Sequence, residues 1–265
     1  MSELYHVPID IYGVMRSGGR LVAEYCILLS RQEAVSSIVS LVAKVGGELL
    51  NLIVQRLGAG YVAVMFVDFS GGRCKPRDFV DEIEGLTDVQ DVRYVEFRYE
   101  PIVFDEFIFP RTVASGSRSV IVLDLKSFEG MKRELEKRWG TAADAVMYHI
   151  GYAYGVAFSE SVLSDYLHLR IRAITVGEAI EVLAKYWRVM GLGLMRIVEK
   201  RFRIVKLGIR DNFEAREAKA TAPRCHFTRG VIAGFVKSLI QRDISCREEQ
   251  CQATGAAECL FTVVS

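Results

Sequence analysis

The chain has 265 residues, of which 51 % are hydrophobic and 25 % charged, with five prolines. This is the composition of an ordinary soluble globular protein, and the length suits two domains that each bury a core. The formal net charge of +1 excludes the basic surface that nucleic-acid backbones require, so we expect no nucleic-acid partner for this chain alone.

The first hundred residues predict alternating strands and helices. Ser30 and Glu33 have the spacing of a capping box at the start of the first helix, and Pro76 opens the second. The apolar runs between them read as strands. The predicted strands cover 20–29, 48–56, 60–69 and about 90–98. The resulting order β-α-β-β-α-β is the ferredoxin-like split βαβ arrangement.

A unit of this order, with a helix after its first strand, resembles an ACT domain. That resemblance implies a regulatory or dimerisation domain over residues 1–100, and a homodimer. ACT domains often bind amino acids where two copies meet, and whether this one does stays open. The alternative is a module that only dimerises.

The segment 99–121 predicts the join to a second domain over residues 101–265, because prolines and a Ser-Gly-Ser turn punctuate it. A strand at 118–124 and a polar helix ending at Gly140 follow. Next comes a long apolar helix that contains Gly151 and Gly155. Their spacing of four places both on one helix face, where another backbone or a ligand can come close.

The remaining sequence predicts two more helices among four strands. Thr175 and Glu178 form a capping box for a helix that runs to Gly191. LMRIVEKR and FRIVKLGIR then read as strands, and a helix after Cys225 leads into two final strands. No window of about eighteen apolar residues marks a membrane span, and the first residues show no leader pattern, so the expected location is cytoplasmic.

Near the end of the chain lie three thiols and a carboxylate with metal-ligand spacing: Cys225, Glu248, Cys251 and Cys259. Thiolates and a carboxylate are donors that a tetrahedral zinc ion accepts, and a site filled by four protein ligands is structural. His226 or Cys246 are alternative ligands, and Glu249 is the less favoured carboxylate. Arg224 and Arg247 are candidates to offset the negative charge of such a site.

The same stretch reads P-R-C-H-F-x-x-G-x-x-x-G and then E-x-x-C-x-A-x-G-x-x-x-C-x-F. This pattern resembles the end of a 4-vinyl reductase-like domain. The resemblance implies an α+β fold similar to trafficking-complex subunits and haem nitric-oxide-binding domains, and places structural zinc on Cys225, Glu248, Cys251 and Cys259. It also implies kinship with the sensory half of phenol-responsive regulators.

Aromatic and apolar side chains predict a pocket for a small hydrophobic or aromatic ligand. A histidine and an indole N–H supply polar handles in it, although helix-spaced aromatics are often plain core. The candidates are Tyr148, His149, Tyr152, Phe158, Tyr186, Trp187, Met190 and Phe202.

No nucleophile, metalloprotease or nucleotide-binding motif stands in a fitting context, so we expect a protein without enzymatic activity. The sequence therefore favours a small-molecule sensor with a structural zinc site. The alternatives are an assembly or adaptor module without a ligand, and an accessory factor in tetrapyrrole reduction.

Overall fold

The computed structural model describes residues 14–98, 100–113, 118–166 and 175–265, with the side chains of 163–166 left aside. Two compact units meet in sequence at Val120 and Ile121, rather than between residues 100 and 101. The segment after residue 100 belongs to the first unit because Val103 is buried in one cluster with Val22, Phe66 and Phe97.

The first unit contains a four-stranded antiparallel sheet and two helices. The elements follow the predicted order, which makes this unit a mixed α+β fold of the split βαβ type. The sheet order is β3-β4-β2-β5. The bounds are β2 (Leu21–Leu29), α1 (Ala34–Lys44), β3 (Glu48–Leu57), β4 (Gly60–Asp68), α2 (Pro76–Glu84) and β5 (Val89–Arg98).

Alternation along the central strand β2 determines which side chains reach each face of this sheet. Tyr25 and Ile27 are buried in one cluster with Ile38 of α1 and Phe79 of α2. The Tyr25 hydroxyl donates a hydrogen bond of 2.8 Å to the Pro76 carbonyl oxygen. A buried phenol thus fixes the start of α2 against the sheet.

Short strand pairs complete the described part of the first unit. β1 (Val14–Arg16) pairs with β6 (Ile102–Phe104), and β7 (Thr112–Val113) pairs with β8 (Arg118–Ser119). The strand predicted at 118–124 is therefore wrong beyond its first two residues. Ile121 is 84 % exposed, and this apolar run lies outside the strands among the residues described.

The predicted capping box of α1 is also wrong. The helix begins at Ala34, and Glu33 stands at its N-cap without a side-chain capping bond. Ser30 is used elsewhere, since its hydroxyl donates a hydrogen bond of 2.9 Å to Oδ1 of Asp88. That bond joins the end of β2 to the turn before β5.

The second unit is also a mixed α+β fold, with three helices preceding most of its sheet. The antiparallel sheet has the order β11-β12-β10-β9. The Thr175–Glu178 capping box at the start of the third of these helices is confirmed. The bounds are α3 (Leu125–Trp139), α4 (Ala142–Tyr166), α5 (Val176–Val189), β9 (Leu194–Lys200), β10 (Ile204–Arg210), α6 (His226–Ile240), β11 (Ser245–Gln250) and β12 (Cys259–Val264).

Helices α4 and α6 pack backbone against backbone through glycines. Of the two alternatives left open at Gly151 and Gly155, the close neighbour is therefore another backbone. A Cβ added at any of four glycines would overlap a carbonyl oxygen of the opposite helix. The oxygens of Phe227, Val231, Tyr148 and Tyr152 would be met from Gly151, Gly155, Gly230 and Gly234, respectively.

Helix α6 is the central helix of the second unit, since one side packs on α4 and another faces the shared core. Val231, Ile232, Phe235 and Val236 on it are fully buried. In the part of the chain that is described, no helix is both long and apolar enough to cross a membrane.

Candidate metal centre and aromatic cluster

The structure brings the four predicted metal ligands together. One ligand atom from each of Cys225, Glu248, Cys251 and Cys259 lies within 4.8 Å of the others. The Cys225 sulfur is 3.6 Å from that of Cys251 and 3.7 Å from that of Cys259. Tetrahedral zinc with Zn–S bonds of about 2.3 Å places its sulfurs about 3.8 Å apart, so this cluster can hold a metal ion.

Each ligand is positioned by a different local element. Cys225 is the N-cap of α6, where the positive end of the helix dipole favours a thiolate. Cys251 precedes a short 3-10 helix (Gln252–Thr254), whose chain turns at Gly255 with φ of 97°. Cys259 opens β12, and its sulfur accepts a hydrogen bond of 3.3 Å from the Gln252 amide.

A β-bulge directs the carboxylate into the cluster. The pairing of β11 with β12 shifts register between Glu248 and Gln250, which separates the directions of neighbouring side chains. Oε2 of Glu248 accepts a hydrogen bond of 2.9 Å from the Cys225 amide. Glu249 instead contacts Lys206 and Thr262 on the surface, so the choice of Glu248 over Glu249 fits the geometry.

The electrostatics of the cluster call for a cation. Burial raises the pKa of Glu248 to about 8, and its Oε1 has no hydrogen-bond partner among the described residues. Hydrogen bonds with Cys251 and Cys259 raise the pKa of the Cys225 thiol. Hydrogen bonds with Cys225 and Cys259 lower the pKa of Cys251. A divalent ion would relieve this crowding of acidic groups, because metal ligands bind deprotonated.

The alternative ligands and charge partners lie elsewhere. His226 is 3.2 Å from Asp144, and Cys246 is buried outside the four-residue cluster. Arg224 does not offset the cluster with its side chain, since its guanidinium pairs with Glu136 at 3.0 Å. Arg247 lies exposed on β11. Backbone amides, rather than these arginine side chains, therefore face the ligands.

A buried ion pair supports the start of α6, which sequence reasoning missed. Lys132 of α3 lies 3.1 Å from Oε1 of Glu214, and both side chains are almost fully buried. The same carboxylate accepts hydrogen bonds from the Phe227 and Thr228 amides at 3.3 and 2.5 Å. Glu214 thus caps α6 from a distant loop, next to the N-cap residue Cys225.

The residues predicted to line a ligand pocket separate into groups. Tyr148 and Tyr152 lie together, with ring centroids 6.3 Å apart, and His149 is exposed beside them. Phe158 meets Tyr186 edge to face at 5.3 Å. Trp187 is buried against Phe213, at 5.9 Å between centroids. Met190 and Phe202 are exposed, at 41 % and 96 % respectively.

A larger aromatic cluster surrounds Trp187. Its rings form a continuous series of contacts at centroid distances between 5.1 and 6.0 Å. The cluster consists of Trp187, Phe213, Phe128, Phe227, Tyr154, Phe158, Phe235 and Tyr186. Four members, Phe128, Phe213, Phe227 and Phe235, escaped sequence reasoning because they stand on separate elements with no local pattern in common.

One polar atom inside this cluster lacks a partner. Trp187 is 2 % exposed, and its indole Nε1 has no hydrogen-bond partner among the residues described. Burying a donor without an acceptor costs about 1–3 kcal/mol. A bound molecule with an oxygen acceptor would remove that cost.

Comparison with known proteins identifies a vinyl-4-reductase domain in this chain. Residues 205–265 match the sequence model of that domain, and this range contains all four ligands of the metal cluster. An uncharacterized protein of Methanocaldococcus jannaschii is 36 % identical over 55 residues. That match covers 20 % of this chain and 24 % of the relative.

Several solved structures resemble part of this chain. The phenol-responsive sensory domain of the transcription activator PoxR, solved with phenol, is 18 % identical, with a TM-score of 0.49 over 57 % of this chain and 78 % of that one. A vinyl-4-reductase family protein from Methanocaldococcus jannaschii is 18 % identical (TM-score 0.40, 54 % and 82 %). Trafficking protein particle complex subunit 3 from Naegleria fowleri is 14 % identical (0.43, 53 % and 91 %).

Proposed function

We propose that this protein is a non-enzymatic small-molecule sensor. Its second unit binds a small hydrophobic or aromatic ligand, and zinc at Cys225, Glu248, Cys251 and Cys259 holds the vinyl-4-reductase domain in shape. Its first unit is an ACT-like regulatory domain that joins two copies of the chain. The observation that carries the ligand proposal is the unpartnered indole N–H of buried Trp187.

The chemistry around Trp187 defines the ligand class. The neighbouring rings of Phe213 and Phe128 offer faces and edges for another ring and no hydrogen-bond donors. A ligand that combines an apolar body with one oxygen acceptor, such as a phenol, satisfies both features. Binding orders these side chains and shifts the protein between two states, and this shift is the signal.

Zinc is the metal that suits the donor set. Three soft thiolates and one carboxylate in a tetrahedral arrangement favour zinc over magnesium or calcium, which take oxygen ligands. Because all four positions are protein ligands, the ion supplies stability and leaves no open position for a reaction. The residues of this chain keep the ion in place: Cys225 from α6, and Glu248, Cys251 and Cys259 from the last two strands and their turn.

Native mass spectrometry of freshly purified protein, beside the same sample denatured, tests the proposal. We expect one zinc per chain, a dimer, and a discrete organic mass that leaves on denaturation. Trp187→Phe keeps an aromatic ring but removes the N–H, so we expect it to lose the organic mass. Trp139→Phe is the matched control, because Trp139 is 53 % exposed. A Trp187→Phe protein that retains the ligand would contradict the proposal.

A specific observation also favours the assembly module as a second candidate. Ile121, Val122 and Leu123 are 84 %, 56 % and 71 % exposed, which is a concentrated apolar surface. An assembly module would carry zinc but no organic mass, and Trp187→Phe would change only its stability.

A further inference from the structure

Arg229 on α6 carries a charge that no carboxylate of the described residues answers. Its guanidinium carbon lies 4.8 Å from the ring centroid of Tyr148. Its Nε is buried and has no hydrogen-bond partner in the described parts of the chain. Arg224 pairs with Glu136 and Glu129, but no ion pair of Arg229 occurs within the same ranges. A half-buried guanidinium offers five donors, so an anion is its natural partner.

The groups around Arg229 are already matched. Lys237 lies 2.7 Å from Asp243, and His226 lies 3.2 Å from Asp144. Beside these two pairs, the positive charge of Arg229 stands without an opposite charge among the described residues. A ligand with a single negative charge balances it, whereas a phosphate dianion brings an excess.

Two phenol rings complete the surroundings. Tyr148 and Tyr152 project from successive turns of α4, with centroids 6.3 Å apart, and Arg229 lies over the Tyr148 ring. Burial raises the pKa of Tyr148, so its phenol stays neutral and can donate a hydrogen bond. The glycine contacts keep α4 and α6 close, which holds Arg229 near both rings.

We propose that Arg229, Tyr148 and Tyr152 form a binding site for a small aromatic monocarboxylate. The guanidinium takes the carboxylate, the Tyr148 hydroxyl donates to it, and the tyrosine rings pack on the apolar body. This site uses α4 and α6 residues other than Trp187, so it does not depend on the function proposed above.

Isothermal titration calorimetry of the zinc-loaded full chain with benzoate tests this site. Benzyl alcohol, which has similar shape and no charge, and inorganic phosphate are the comparison probes. We expect benzoate to bind at least tenfold more tightly than either. Arg229→Gln should weaken benzoate binding at least tenfold, and Tyr148→Phe severalfold. Arg242→Gln, an exposed arginine beyond the end of α6, should leave it unchanged, as should Trp187→Phe.

Three results would overturn the inference. Benzoate that binds no better than benzyl alcohol would show that charge plays no part. Phosphate that binds as tightly as benzoate would replace the carboxylate site with a general anion site. Unchanged benzoate affinity in Arg229→Gln would remove the residue on which the site depends. If that variant fails to fold, Tyr148→Phe and the wild-type probe comparison decide the matter.

Discussion

The Lys132 ammonium of α3 lies 3.1 Å from a carboxylate oxygen of Glu214, with side-chain exposures of 2 % and 0 %. Glu214 in turn accepts hydrogen bonds from the first free amides of α6. One lysine therefore links α3 to the helix whose N-cap is the metal ligand Cys225. The pair joins segments 82 residues apart in sequence.

Removing this lysine should be costly. Lys132→Met leaves the Glu214 charge buried without its partner, and breaking a buried pair in this way costs about 3–5 kcal/mol. Both tryptophans, Trp139 and Trp187, lie in the second unit. Urea unfolding followed by tryptophan fluorescence therefore measures this unit selectively.

Lys137→Met is the control for Lys132→Met. Lys137 pairs with Glu134 on the exposed surface of the same helix, and exposed pairs contribute about 0–1 kcal/mol. Equal unfolding free energies for the two variants would contradict the importance of the buried pair.

The glycine crossing of α4 and α6 gives a second prediction. Gly230→Ala would press a methyl group into the Tyr148 carbonyl, and overpacking of this kind typically costs about 1–3 kcal/mol. Here the cost should reach the upper part of that range, because two backbones must separate. The same fluorescence-detected unfolding provides the measurement.

Gly130→Ala supplies the matched control. Nothing lies within 4 Å of a Cβ at this position in α3, and Ala is favoured over Gly in a helix by about 0.5–1 kcal/mol. The control variant should therefore be more stable than the wild type. A Gly230→Ala protein as stable as Gly130→Ala would show that the helices can move apart at little cost.

The extent to which sequence predicted this structure depends on distance along the chain. Cys251 and Cys259 flank one turn, and Glu248 precedes them on the same hairpin, so local spacing suffices to assemble three of the ligands. The helix and strand order of both units follows equally local patterns. Capping at Thr175 was predictable for the same reason, since Glu178 lies one turn away.

Tertiary contacts were not predictable in this way. Nothing around Lys132 distinguishes it from the other lysines of a polar helix, and its partner lies in a charged loop that read as solvent-exposed. Phe202 looked like a pocket residue because it is aromatic, yet it occupies an exposed turn between β9 and β10. Pairing of side chains across elements requires the three-dimensional arrangement itself.

Glu24 provides a prediction about pH. This residue of β2 is fully buried. Burial is the main cause that raises its pKa to about 8, and the neighbouring Asp105 carboxylate acts in the same direction. The unfolded chain releases this proton near 4.5. The folded state therefore binds the proton more strongly, and stability of the first unit should fall as pH rises from about 4.5 to 8.

Hydrogen exchange of the β2 and β5 amides across this pH range, corrected for intrinsic exchange rates, measures that dependence. Glu24→Gln stays neutral at every pH and should abolish the Glu24 contribution to the slope. Glu84→Gln, on the exposed side of α2, should keep it. A slope that survives in Glu24→Gln would assign the pH dependence to other groups.

The metal cluster gives the last prediction. Cys251→Ser replaces a thiolate ligand by a hydroxyl that stays protonated near neutral pH, so the affinity for zinc should fall sharply. Because ligand binding to the folded state adds directly to stability, the second unit should then unfold at lower urea concentration. Cys74→Ser, in the turn before α2, is the control and should keep both metal and stability. Metal content by elemental analysis and tryptophan-detected unfolding on the same samples separate two outcomes. Loss of zinc with loss of stability supports a structural ion, whereas a Cys251→Ser protein that retains one zinc per chain and unfolds like the wild type would rule out this ligand set.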